Sequence, residues 1–185
     1  MNIFSFLMIM QAIIIGLGLS ELLTNFSKVL KSKTYSEIGF IVPTLSAAIF
    51  LGLLQSFWEA WSLQSHDNWS FPALVLMISG PVLFHMMAHI LYPDNDETSS
   101  LTEYYFSNSK LLWVLCILTI FAGVLFRPIA LGYPLFTIEN LSSLIIIAGI
   151  LPLLFNKNIW LHGVVVGVIL MSVILDTLFI SYQIQ

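Results

Sequence analysis

Six stretches of the chain run for about 20 residues with hardly a charge, and no other feature restricts the fold as strongly. A helix rising 1.5 Å per residue needs about 20 apolar residues to cross roughly 30 Å of hydrocarbon. Such stretches lie at about 3–25, 39–63, 71–92, 110–131, 136–155 and 159–182. No apolar/polar alternation runs long enough to close a barrel, and an unpaired backbone amide in lipid costs several kcal/mol. The expectation is therefore all-α: a polytopic membrane helix bundle with six transmembrane helices, a single transmembrane domain over residues 1–185.

Composition agrees. With 58% hydrophobic and 9% charged residues, against roughly a quarter charged in an ordinary soluble domain, a soluble monomer is excluded. Cys116 is the only cysteine, which excludes a disulfide scaffold. Six basic residues and a net charge of -4 leave little to neutralise a phosphate backbone, so the partner is a lipid bilayer and not nucleic acid. The first span has no basic n-region or small-residue cleavage pattern and is expected to stay in the mature protein.

Basic residues set the expected orientation, because short loops rich in Lys and Arg stay cytoplasmic. With six spans, Lys28, Lys31, Lys33, Lys110 and Lys157 share one side and Arg127 falls opposite. Both termini are then extracytoplasmic, and residues 93–109, with Asp94, Asp96, Glu97 and Glu103, form a polar cytoplasmic loop. The short fifth segment and the Arg127-Pro128 break are the weak points of this count. The loop divides the spans three and three, which permits an inverted repeat, but no matching residues align between the halves. Within it, residues 101–106 form either a short interfacial helix or an extension of the fourth span.

Trp58, Trp61 and Trp69 cluster near the outer boundary, and Trp113 and Trp160 near the inner one, as expected of an aromatic belt. Gly163 and Gly167, and Gly16 with Ser20, are small-xxx-small pairs that let helices approach closely. Six short spans bury limited surface, so a homo-oligomer with Gly163 and Gly167 at a close helix contact is expected. Pro81 after Gly80 is expected to kink the third span.

Ionisable residues inside spans cost at least ~2.5 kcal/mol at a helix centre and so face protein or water. They fall in two layers: Glu21, His85, His89 and His162 toward the inner side, and Glu59, Glu139, Asp176 and Arg127 toward the outer side. Gln11, Gly18, Glu21 and Asn25 recur at helical steps along one face of the first span. Gln55 and Glu59 are four apart, as are His85 and His89, while His162 and Asp176 are nearly four whole turns apart.

Three uses are open to the inner layer. An H-x-x-x-H pair with a further His and Glu21 is a ligand inventory for Zn, Fe, Mn or Cu, or for bis-imidazole haem. It lacks the H-E-x-x-H glutamate and any C-x-x-C. The same groups suit a proton relay, or they simply hydrogen-bond to water and to each other. In the outer layer Glu139 and Arg127 lie near span ends, so Glu59 and Asp176 are the stronger functional candidates. Cys116 sits among apolar residues and reads as packing. Ser79-Gly80 and His162-Gly163 resemble the serine and histidine helices of rhomboid proteases, but Met77 stands where the first glycine of G-x-S-G belongs.

The segments Gly16-Leu-Gly-Leu-Ser-Glu-Leu-Leu23, Gln55-Ser-Phe-Trp-Glu-Ala-Trp61 and Glu103-Tyr-Tyr-Phe106 resemble those of small uncharacterised multi-pass inner-membrane proteins of bacteria. The resemblance covers mainly the first three spans and the central loop. It implies a bacterial inner membrane and carries no activity or site residue with it. From the residues themselves the leading expectation is an ion pathway for protons or small cations through Glu21, Gln55, Glu59, His85, His89, His162 and Asp176. The alternatives are a redox, metal- or haem-binding enzyme using the inner histidines with Glu21, and a non-catalytic scaffold or sensor subunit.

Overall fold

Capping residues mark where three of the helices begin. The computed structural model describes residues 3–31, 39–64, 66, 68–94 and 100–179. It contains α1 (Ile3–Lys31), α2 (Ile41–Trp61), α3 (Phe71–Ile90), α4 (Leu101–Leu131), α5 (Ile138–Ile150) followed by a 3-10 turn (Leu151–Leu154), and α6 (Ile159–Phe179), with no strand among the described residues. Ser70, Ser100 and Thr137 each accept a hydrogen bond from the backbone N–H three residues on, at the starts of α3, α4 and α5. At the other end of α4, Gly132 takes the left-handed conformation (φ 70°) and closes the helix.

Two expectations change. Five helices, α1 to α4 and α6, are long and apolar enough to cross a membrane, whereas the fifth apolar segment is shorter. The polar stretch 93–109 is not all loop: from Leu101 it is the first turns of α4, started by the Ser100 cap. Residues 95–99, with Asp96 and Glu97, lie outside the described part of the chain, as do Lys33 and the side chain of Glu139.

Side-chain pairings fix the helix directions. The rings of Phe4 and Trp61 meet edge to face at 6.4 Å, and Gln11 Nε2 donates to the Ser56 carbonyl at 3.0 Å, so α1 and α2 are antiparallel. Glu21 meets His89 at 3.2 Å, which sets α3 parallel to α1. Gln55 pairs with Asp176, both late in their helices, and His162 pairs with Tyr105, both early in theirs. Thus α2, α4 and α6 run one way and α1 and α3 the other. One end of the bundle collects Lys28, Lys31, Lys110 and Lys157 and is called here the basic end. The opposite end carries Glu59, Asp176 and Arg127.

From Met8 on, the buried residues of α1 (Met8, Gln11, Ile15, Gly18, Leu22, Asn25 and Val29) follow alternating steps of three and four, with Leu7 buried beside Met8 at the start. That is the seam of helices crossing at a shallow angle. Close approach falls at Gly18 and Gly52: a Cβ on Gly52 would stand 2.7 Å from Phe84 Cζ, and one on Gly18 would stand 3.0 Å from Leu53 Cδ1. Gly163 and Gly167 make no such contact within the chain. A Cβ on Gly163 would meet only the Phe40 ring, at 3.8 Å, and one on Gly167 nothing within 4 Å. A large core cluster including Leu45, Ile49, Leu53, Met87, Leu112 and Trp113 runs toward the basic end, and a smaller one of Leu7, Met8, Ala60 and Met77 fills the opposite end.

α4 runs on through Pro128 to Leu131. A proline has no N–H, so the carbonyl four residues earlier loses its helical donor. That carbonyl belongs to Val124, and the buried Asn140 reaches it from α5 with Nδ2 at 3.4 Å while donating to Leu135 O at 2.8 Å. The first turn of α5 is thereby tied to the α4 break.

Substituting Gly52 by Val is expected to destabilise the bundle by roughly 1–3 kcal/mol through overpacking against Phe84. Gly167→Ala is expected to stay within about 0.5 kcal/mol of the parent. Denaturant titration of the purified protein in detergent checks both, and equal effects at the two sites would contradict the packing described.

Candidate functional site

Three polar clusters lie within the apolar helices, and their geometry separates them. The first joins α2 to α6 at the end opposite the lysines. Gln55 Nε2 donates to Glu59 Oε1 at 3.1 Å and also to Asp176 Oδ2, so one amide bridges two carboxylates on different helices. Gln55 and Asp176 are half-buried, and Glu59 is exposed on the bundle surface. The charges of Asp176 and Arg127 both reach Glu59. Expectation and structure coincide here: Gln55 and Glu59 share a face of α2, and that face meets Asp176.

The second cluster joins α1 to α3 nearer the basic end. Glu21 Oε1 lies 3.2 Å from His89 Nδ1 and accepts from Asn25 Nδ2 at 2.9 Å, while Lys28 Nζ donates to Asn25 Oδ1 at 3.3 Å. This cluster is wet at its edge, since the His89 side chain is 57% exposed and that of Glu21 32%. One turn further in, His85 packs beside Gly18, and its Nδ1 is buried without a hydrogen-bond partner among the described residues. Gln11 is 2% exposed and its Oε1 is likewise buried and unpartnered. Buried polar atoms of this kind are where internal water or a transferable proton is accommodated.

The third cluster centres on His162, which is fully buried. Its Nε2 faces the Asn156 carbonyl at 2.7 Å, and a carbonyl only accepts, so Nε2 carries the proton. Its Nδ1 faces the indole N–H of Trp113 at 3.2 Å and the hydroxyl of Tyr105 at 2.7 Å. Indole N–H only donates, so Nδ1 is an acceptor. Partners on both sides therefore assign the same tautomer independently. The rings of Tyr105 and Phe106 stand edge-on to the imidazole at 5.6 and 5.1 Å.

These positions correct two expectations. His162 has no lone pair left for a metal, and among the described residues no three His, Cys, Asp or Glu side chains gather as a ligand set. The proposed quartet of His85, His89, His162 and Glu21 is thus split, with Glu21 and His89 paired and His162 enclosed elsewhere. Trp113 is not a belt residue: it is 0% exposed, whereas Trp58, Trp61 and Trp160 are exposed at 52, 51 and 81%. Tyr105, Trp113 and Asn156 were not singled out as partners of His162. The signal existed, since Tyr105, Ser109 and Trp113 recur every four residues and share one face once α4 is taken to begin at Leu101.

Trp113→Phe removes the indole donor and leaves a small void at a fully buried site, so it is expected to cost about 2 kcal/mol. His162→Leu strands the Asn156 carbonyl, the Tyr105 hydroxyl and the Trp113 N–H together, for an expected loss of roughly 3 kcal/mol or more. Unfolding in detergent followed by tryptophan fluorescence tests this order, and a His162→Leu protein as stable as the parent would contradict it.

Set beside known proteins, the chain matches no family model, no curated protein and no solved structure.

Proposed function

We propose that the bundle conducts protons across a bacterial inner membrane, between the Gln55–Glu59–Asp176 cluster and the Glu21–His89–His85 cluster. The observation that carries this is the pairing of carboxylates across helices toward both ends of the bundle, with buried polar atoms on Gln11 and His85 in between that have no hydrogen-bond partner among the described residues. Carboxylate and imidazole both exchange protons, and such groups within apolar helices mark ion pathways. Ile15 and Leu53, both buried, close the seam between Gln11 and Gly18, so protons pass there by transient hydration. His162, enclosed by its partners, holds helices together and stands outside the path.

The same proposal takes the chain across the membrane six times. α4 and α6 are parallel, and the segment between them must return. Asn140 lies at the level of Val124, while residues 153–156 border the same cavity as Phe106 and Lys110. Eighteen residues of α4 separate Val124 from Phe106, roughly 27 Å at 1.5 Å per residue, which is close to the hydrocarbon thickness. α5 and its 3-10 turn supply the return. The basic end is then cytoplasmic by the positive-inside rule and both termini are extracytoplasmic. The resemblance to small bacterial inner-membrane proteins supports the compartment. Gly163 and Gly167, whose added Cβ atoms would meet, among the described residues, only the Phe40 ring at 3.8 Å and nothing within 4 Å respectively, suit the contact of a homo-oligomer.

Proteoliposomes carrying a pH-sensitive dye, with a potassium gradient clamped by valinomycin, test the proposal. The parent is expected to conduct protons above protein-free vesicles. Glu59→Gln and Asp176→Asn are expected to lower flux at least tenfold without altering the folded protein, because the pathway loses its exchanging group. His89→Gln is expected to flatten the dependence of flux on pH near neutrality. Parent flux no greater than that of empty vesicles would overturn the proposal and leave the clusters as ties between helices.

A further inference from the structure

At the basic end, the turn between α5 and α6 folds back onto α4 and forms a cavity of about 240 Å³ bordered by Phe106, Ser109, Lys110, Phe155, Asn156 and Lys157. Two lysines from distant parts of the sequence thus border one cavity. Among the described residues neither Lys110 nor Lys157 has a carboxylate partner. Lys110 Nζ instead lies over the Phe155 ring, 5.9 Å from its centroid. The Ser107 and Ser109 hydroxyls donate to the carbonyls of Glu103 and Phe106. Asn156 Oδ1 is taken by the N–H of Asn158, which leaves Nδ2 as the donor of a side chain that borders the cavity. The pocket therefore offers donors and positive charge and no carboxylate.

The rim has the opposite character. Phe155, which borders the cavity, is 83% exposed. A free anion gains nothing from an exposed aromatic ring at the mouth, whereas a lipid places its phosphate in the pocket and its glycerol and upper acyl carbons against that ring.

The geometry points to a binding site for the phosphate headgroup of an anionic phospholipid, held by Lys110, Lys157 and Asn156. The turn that presents Lys157 is fixed from inside, because the Asn156 carbonyl accepts from His162 Nε2 and His162 is locked by Tyr105 and Trp113. His162 is thus a positioning residue for this site, which explains why so enclosed a polar network stands directly behind an exposed turn. The cavity volume accommodates a headgroup and not merely a single water.

Native mass spectrometry of the detergent-solubilised protein, titrated with phosphatidylglycerol, phosphatidylcholine or inorganic phosphate alone, tests the site. Phosphatidylglycerol is expected to be retained in preference to phosphatidylcholine. In Lys110→Gln/Lys157→Gln its affinity is expected to fall about thirty-fold, roughly 2 kcal/mol at 1.4 kcal/mol per tenfold. Lys28→Gln/Lys31→Gln removes equal charge from the same end and is expected to leave retention unchanged. His162→Gln is expected to weaken retention although it removes no donor that faces the lipid. Equal weakening by the two lysine pairs would overturn the site in favour of diffuse charge attraction. Displacement of the lipid by millimolar inorganic phosphate would overturn the lipid assignment in favour of a free anion. Undiminished retention in the Lys110/Lys157 variant would overturn the proposal altogether.

Discussion

Everything in this structure depends on the chain between α4 and α6 running back the length of the bundle. The pairing of Gln55 with Asp176 requires α6 to run parallel to α2, and the pairing of His162 with Tyr105 requires it to run parallel to α4. Neither is possible unless the short α5 and its 3-10 turn return from the level of Val124 to that of Lys110. Apolar length alone does not secure that return. It is held by Asn140, whose side chain satisfies the carbonyl that Pro128 leaves without a donor and the Leu135 carbonyl beside it. In lipid an unsatisfied carbonyl has no water to turn to, so one amide at this junction stabilises both the break in α4 and the start of α5.

The same rule organises the rest of the polar inventory. Each cluster uses side chains from two or more helices, so each fixes register as well as satisfying donors and acceptors. They differ in completeness. Around His162 every donor meets an acceptor and both ring nitrogens are committed, which suits a rigid tie. Along α1 and α3, Gln11 Oε1 and His85 Nδ1 are buried without partners, and an incomplete network of that kind is costly unless water or a moving proton uses it. The contrast between a saturated and an unsaturated network is the physical basis for reading the one as a structural tie and for proposing conduction through the other.

Much of this was legible in the sequence. The apolar runs gave the helices, the four-residue spacing of Gln55 and Glu59 gave a shared face, and the stripe of Gln11, Gly18 and Asn25 is the buried seam of α1. Ser100-Leu-Thr-Glu103 carried a capping signal that starts α4 ahead of its apolar stretch, yet a tract rich in charged and polar residues reads more readily as loop. Placement across helices was not legible. Nothing in the spacing of His85, His89 and His162 says that two lie beside Glu21's face and the third is enclosed by Tyr105 and Trp113, because that follows from which helices are neighbours. Trp113 was misplaced for the same reason, an indole near a span end being an interfacial anchor until a buried acceptor is found for its N–H. Gly163 and Gly167 have the small-residue spacing of a helix contact, but the close approaches among the described residues fall at Gly39, Gly18 and Gly52, of which only Gly52, between Ala48 and Ser56, has that spacing.

The return of α5 is tested most directly by where its two ends lie. In a Cys116→Ala background, Tyr133→Cys and Lys157→Cys each place one thiol on an exposed turn at either end of α5. An impermeant maleimide applied to intact bacterial cells is expected to label Cys at position 133 directly and Cys at position 157 only after the membrane is permeabilised. Labelling of both positions from the same side would contradict the return, and with it the six-crossing arrangement on which the proposed pathway rests.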